Sequence, residues 1–521
     1  MKRTTLSLIA AGAALAAVTS VAAVAAPEEG PAATGKAAQQ PVERTSLLCP
    51  APSSSELAET TYTAYTPKTE VSSDSGTAAL VPAARSLAGK DDKKDDKKDD
   101  KKDDEKDGKG DKGDKKGEEE KPFLAVKKQG APVTAEENGS GAPALIGLAE
   151  GSLAPGWSAQ QTTHFTAGAG RGLHGAACSA PDTDFWFPGA STAEDRSDYL
   201  HLTNPDDAAA VVDIELYGKD GALDSEVGEG IQVPPRSSVP VLLSTLTGKP
   251  QTNLTVHVTA RSGRVAAAVQ ALDQKVGGDW LTPSAEPSAS VVLPGIPKDA
   301  TAVRLVAFAP GSADADLKVS LAGPNGSLSP AGNETLHLKS GMTTAVDLAD
   351  VTRGEPGSLV LTPTGDSGDT PVVAAVRVIR GKGADQESAF IPAARPVGDR
   401  ATVTGNGAKG TYLSLTAPGK AAKVRVTASA GTGGGTAATK TYSVGAGRTL
   451  AADVPLPDSL KGTYALTVET VSGGPVHASR TLTLSGAAAD GISMFTVQNL
   501  TDDRGTVTVP AARPEMGVLL D

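Results

Sequence analysis

Apolar and polar positions alternate along most of this chain, and residues 200–218, LHLTNPDDAAAVVDIELYG, show the pattern in its simplest form. Leu200 and Leu202 predict a short strand, Asn204-Pro205-Asp206-Asp207 a turn, and the following residues a longer strand. In that second strand Val212, Ile214 and Leu216 share one phase, while Asp213, Glu215 and Tyr217 share the other. A period of two means one face on a core and the opposite face away from it.

The pattern recurs at long spacing. LHLTNP ends at Pro205, LVAFAP at Pro310 and LSLTAP at Pro418, in steps of 105 and 108 residues. After the first two prolines the apolar positions keep the same offsets, Val212, Ile214 and Leu216 against Leu317, Val319 and Leu321. Ser262-Gly263, Ser367-Gly368 and Ser472-Gly473 each separate two strand-like runs, which predicts three hairpins. Each repeat closes on a proline, at Pro294, Pro392 and Pro510. A period near a hundred residues exceeds a solenoid rung or propeller blade and suits an immunoglobulin-sized unit. The expected fold is all-β, with immunoglobulin-like β-sandwich repeats in tandem at 181–298, 299–396 and 397–515.

Before these repeats the pattern weakens. Residues 1–25 read as a secretory signal, with Lys2-Arg3, an apolar stretch from Leu6 to Val21, and Ala23-Val24-Ala25 as the cleavage site. An uncleaved anchor is the competing reading. Residues 26–44 predict an unstructured leader, and 45–180 a β-rich unit interrupted by a Lys/Asp tract at 89–121. Residues 90–121 hold 13 Lys against 15 Asp plus Glu. Like charges at i,i+4 (Asp91 with Asp95, Lys93 with Lys97) oppose a helix, and nothing apolar is available to bury. The tract predicts a disordered insert. Calcium capture is disfavoured because lysines neutralise the aspartate pairs and no ligand loop is spelled out.

Composition narrows the function classes. A net charge of −12 argues against nucleic acid as a partner. Aromatic residues make up only 3% of the chain, so its cores must be Val, Leu and Ala. The six histidines show no metal-ligand spacing, and no nucleophile elbow, phosphate loop or cofactor fingerprint is present. His201 and His257 fall on the polar phase of strands, which predicts a solvent-facing position. The cluster Glu194-Asp195-Arg196-Ser197-Asp198 reads as a solvated turn, since Arg196 stands among the carboxylates. Phe185, Trp186, Asp195 and Arg196 are the candidate ligand contacts, with Trp157 and Trp280 as further aromatic positions that equally suit a sandwich core. Cys49 and Cys178 are the two cysteines, and an exported chain predicts a disulfide between them, joining exposed-edge positions.

Residues 177–189, ACSAPDTDFWFPG, followed by LHLTNPDDAAAVVDIELYG, resemble a secreted actinobacterial family of unknown function, domain of unknown function 5719. Leu-Leu-Cys-Pro at 47–50 is similar too. The resemblance implies an exported, envelope-associated protein and carries no catalytic residues. The expected function is that of a secreted, noncatalytic scaffold or interaction module at the cell envelope, with no cofactor and no membrane span after signal cleavage. Its partners would be envelope proteins or cell-wall glycan. The alternative is a glycan-binding or weakly glycan-active protein that uses the 185–198 region.

Overall fold

The computed structural model describes residues 38–69, 75–85, 121–225, 227–364, 369–383, 385–484 and 493–509. The proposed signal and the charged tract, apart from Lys121, lie outside them. Every regular element among the described residues is a β-strand or a short 3-10 turn, at Gly139–Gly141 and Leu243–Thr245. No helix there is long and apolar enough to cross a membrane.

Eight principal strands recur four times. The first set is β1 (Arg44–Cys49), β2 (Ala58–Tyr65), β3 (Gly76–Pro82), β4 (Leu124–Val126), β5 (Val133–Asn138), β6 (Leu145–Gly151), β7 (Ser158–Phe165) and β8 (Gly172–Ala177). The second is β9 (Asp184–Ala190), β10 (Arg196–Thr203), β11 (Ala210–Gly218), β12 (Gly221–Leu223), β13 (Ser237–Leu242), β14 (Leu254–Ser262), β15 (Ala266–Asp273) and β16 (Gly277–Leu281). The third is β17 (Val291–Ile296), β18 (Ala300–Phe308), β19 (Ala315–Gly323), β20 (Gly326–Leu328), β21 (Thr343–Asp347), β22 (Gly357–Pro363), β23 (Val373–Arg380) and β24 (Glu387–Pro392). The fourth is β25 (Arg400–Asn406), β26 (Thr411–Ala417), β27 (Ala422–Ala428), β28 (Ala438–Val444), β29 (Arg448–Ala452), β30 (Tyr464–Gly473), β31 (His477–Leu484) and β32 (Met494–Leu500).

Each set builds two antiparallel sheets with one strand order. The first sheet runs first–sixth–third–fourth strand, and the second runs fifth–second–seventh–eighth. The two sheets face one another across an apolar core. In the second set Val212, Ile214 and Leu216 from one sheet meet Leu200, Leu202 and Val269 from the other. The alternation read from the sequence therefore assigns the core face correctly.

Three expectations change. The β-rich N-terminal unit has the same strand order as the later repeats, so the sandwich occurs four times. The charged tract enters between its third and fourth strands, which hides the period. The segment LPGIP does not close a repeat, because β17 pairs with β22 and belongs to the third sandwich. The predicted hairpins are absent, since the strands before and after each Ser-Gly landmark lie in different sheets. At Ser262-Gly263 and Ser472-Gly473 the chain crosses from one layer to the other; Ser367-Gly368 lies outside the described residues. A short glycine loop serves a crossing as well as a hairpin, so alternation on both sides cannot tell them apart.

Seven short strands lie outside this scheme among the described residues, and three of them reach beyond a single sandwich. Ala84–Arg85 adds to β13 in parallel, extending the second sandwich with chain from the first. Ala38–Pro41, at the end of the expected unstructured leader, pairs with Thr506–Val509. These two strands form a small unit of their own, in which Gln39 Nε2 donates to Thr508 Oγ1 at 2.9 Å.

Within the main unit, Pro41–Gly505, the sandwiches close a cycle. First strand β9 packs on β18 and β23, β17 on β26 and β31, and β25 on β2 and β7. The second, third and fourth sandwiches thus each lay their first strand on the second sheet of the next, the fourth returning to the first, while the first meets the second through Leu48 and Ile146 against Ala266. The four eighth strands meet inside this cycle, β8 against β16, β16 against β24, β24 against β32 and β32 against β8.

Candidate functional site

The junctions are built from equivalent residues. Along each first strand one side chain points away from its own core, between two neighbours that point in. These are Leu48 between Leu47 and Cys49, Trp186 between Phe185 and Phe187, Val292 between Val291 and Leu293, and Thr402 between Ala401 and Val403. Leu48 meets Ala266 and Trp186 meets Phe308 and Val373, each at a rung where the second and seventh strands of the next sandwich pair, and every sandwich has such a rung. The rungs are Thr203 with Ala266, Phe308 with Val373, Thr416 with His477, and Tyr65 with Ser158.

The junction of the second and third sandwiches is filled. Trp186 stacks on His257 (centroids 3.7 Å apart) and on Phe308 (5.5 Å), in one apolar cluster with Val373. Thr343 Oγ1 lies 2.9 Å from Thr255 Oγ1 across it. The next junction repeats that hydroxyl bridge, with Thr449 and Ser358 3.0 Å apart. Where the fourth sandwich meets the first, buried Arg480 donates to Gln160 Oε1 at 2.7 Å and Ser158 Oγ to the Thr402 carbonyl at 3.2 Å. The first-to-second junction has none of these devices. Its rung carries Thr203 and Ala266, its first strand offers Leu48, and Ala144 stands where Thr255 and Ser358 supply hydroxyls.

One carboxylate ties the centre together. Asp279 on β16, fully buried, accepts from Gly175 N (3.0 Å), Trp280 N (2.8 Å) and Thr496 Oγ1 (3.0 Å). These donors stand on β8, β16 and β32, in the first, second and fourth sandwiches. Burial pushes this carboxyl well above its ordinary range, and the donors pull against that. Gly175 is glycine for a packing reason, since a Cβ there would come within 2.6 Å of Thr496. Two residues along β32, Gln498 accepts from Arg480, which is enclosed among neutral acceptors and pushed down to about 9 by burial.

The four candidate contact residues do not form one site. Phe185 lies in the core of the second sandwich and Trp186 in the junction beyond it, because adjacent strand residues point to opposite faces. Asp195 is at the surface with Lys275 (3.0 Å). Arg196 opens β10 and is buried, donating to both oxygens of Asp198 at 2.9 and 2.7 Å. The solvated-turn reading of 194–198 therefore ends at Asp195. Asp198 is enclosed, and burial raises its carboxyl despite Arg196. The solvent-facing histidines are corrected too. His201 is buried beside Trp280, and His257 lies between Glu215 and Asp184, 2.9 Å from each. Their polar phase faces other side chains and neighbouring sandwiches. Trp157 and Trp280 are buried as well, at 3% and 2% exposure.

The disulfide joins Cys49, at the end of β1, to Cys178, just after β8 (S–S 1.96 Å). Both strands are sheet edges, as expected, yet both cysteines are buried in the first core. Among the described residues no group of His, Cys and carboxylates is arranged to hold a metal.

A cleft of about 280 Å³ opens where the loose junction meets the ends of the eighth strands. Leu48, Thr203, Ala266 and Ala268 line its junction side, Trp157, Gln498 and Asn499 its inner side, and Asp182, Glu286, Arg395 and Asp502 also line it. Sequence reading missed it because its walls come from all four repeats.

No curated protein and no solved structure matches the chain. Residues 133–455, from the fifth strand of the first sandwich to just past the fifth of the fourth, match the family of unknown function DUF5719, and the chain belongs to that family.

Proposed function

We propose that this protein is exported and acts at the cell envelope as a noncatalytic scaffold, presenting loops and sheet faces to other envelope components. The observation that carries this reading is Asp279, whose carboxylate takes donors from three sandwiches where the four eighth strands meet. Buried and hydrogen-bonded in that way, it favours one arrangement of these units, which suits a rigid platform. Charged side chains between the second and third sandwiches are committed to one another as well, Arg196 to Asp198 and Arg377 to Asp273 (2.6 Å). The Cys49–Cys178 bond suits an oxidising compartment.

The test is fractionation of intact cells followed by surface crosslinking. The chain should be found outside the cytoplasm, linked to envelope proteins. Retention in the cytoplasm, or turnover of cell-wall material by the purified chain, would overturn the reading.

A further inference from the structure

We propose that the cleft between the first and second sandwiches binds a small, neutral, hydroxyl-rich ligand, a sugar unit of one or two rings. The repeats supply the comparison. Three junctions are closed by bulky side chains, hydroxyl bridges or the Arg480–Gln160 contact. The fourth has the same backbone scheme with Thr203 and Ala266 in place of Phe308 and Val373. The cleft of about 280 Å³ opens beside this junction and is also lined by Ser158, Gln160 and Thr402 of the fourth-to-first junction; its volume is near the lower end of the range for small-molecule sites, which often lie between domains.

The lining selects the chemistry. Gln498, 4% exposed, has no partner for its amide nitrogen, and Trp157, 3% exposed, has none for its indole N–H. Asn499 Oδ1 is a buried acceptor without a donor. Hydroxyl groups donate and accept at once, so a polyol can satisfy both kinds. The methyl faces of Ala266 and Ala268 and the side chain of Leu48 suit the C–H face of a sugar ring. Five carboxylates line the cleft (Asp182, Asp184, Glu286, Asp502 and Asp503) against two guanidiniums, and Arg395 is already held by Glu286 at 2.7 Å. That balance opposes an anionic ligand, while the inner N–H donors oppose a cationic one.

Of the 185–198 region, Phe185 and Trp186 also line this cleft, whereas Asp195 and Arg196 do not, and the proposal does not depend on where the chain resides, because binding is read on the purified protein. The experiment titrates the full chain with glucose, galactose, N-acetylglucosamine and their disaccharides, with glycerol as control, by calorimetry and ligand-observed NMR. At least one sugar should bind more tightly than glycerol. The double variant Thr203→Phe with Ala266→Val, which copies the filled junction, should weaken binding by about tenfold or more without lowering the unfolding midpoint. Gln498→Leu provides a second reading, again about a tenfold loss, should the double variant fold poorly. No binding at millimolar sugar, binding no tighter than glycerol, or unchanged affinity in the variant that folds would overturn the proposal.

Discussion

Two junctions of one cycle, built on the same strand scheme, end in different states. Between the second and third sandwiches, Trp186 meets Phe308 and Val373 and the space is filled. Between the first and second, Leu48 meets Ala266 and part of the space stays open. The strand order within each sandwich is equivalent, but β9 lies close on β18 and β23 while β1 stands farther from β10 and β15, so the difference is one of sheet spacing as well as side-chain volume. Well-packed interiors leave few voids, and a rung of Thr and Ala opposite Leu cannot fill what Phe and Val fill opposite Trp. Repetition thus supplied the junctions, and spacing and a few substitutions decided which of them stayed open. The Ala84–Arg85 strand, which crosses to β13 at the open junction alone, supplies part of the contact that the side chains do not.

The comparison can be broken most severely at its filled end. Trp186→Ala should cost about 3–5 kcal/mol, as large aromatic truncations do, and should leave the second-to-third junction as open as the first. Denaturant unfolding monitored by far-UV circular dichroism would read the loss. A cost under about 1 kcal/mol would mean the stack does not hold the junction.

At the open end, the first sandwich carries the disulfide. Replacing Cys49 and Cys178 by alanine should destabilise by about 2–4 kcal/mol, and the loss should fall on the first sandwich. Hydrogen exchange resolved by segment would show faster opening in residues 121–177 than in the third sandwich. Uniform loss across all four would contradict that localisation.

Acidity tests the centre that both junctions share. Burial lifts the Glu387 carboxyl from 4.5 to about 7, against the pull of Arg171 and Arg380. The folded chain therefore holds this proton more tightly than the unfolded chain does. Its contribution to stability is fully present below about pH 4.5 and is lost as the pH rises through about 7. The difference in urea midpoint between pH 5 and pH 8 should shrink in Glu387→Gln, by less than either deletion costs, because Arg171 keeps 25% of its side chain in solvent. An identical pH slope in the variant would show that Glu387 does not titrate in this window.

The smallest effect should come from closing the open junction. Thr203→Phe with Ala266→Val should raise stability by about 1 kcal/mol, the usual return on filling a cavity that can accept the added atoms. Differential scanning calorimetry would detect the rise. A clear fall in the midpoint would mean that Leu48 and its neighbours cannot make room for the added side chains.

Alternation alone determined which residues share a face. Val212, Ile214 and Leu216, and likewise Leu317, Val319 and Leu321, lie in cores as their period of two requires. It also marked three of the four repeats, through Pro205, Pro310 and Pro418. The oxidised pair Cys49–Cys178 followed from there being two cysteines in a chain that reads as exported. What the opposite face would meet was a tertiary decision. Trp186, His201 and Asp198 sit in local patterns that suit solvent equally well, yet neighbouring layers cover all three. The strand partners across each Ser-Gly loop were decided the same way, since β14 and β15 have the alternation of a hairpin but pair with other strands. Periodicity is a property of a short stretch of backbone. Hydrogen-bond partners and the covering of a face depend on segments a hundred or more residues away, which that stretch does not encode.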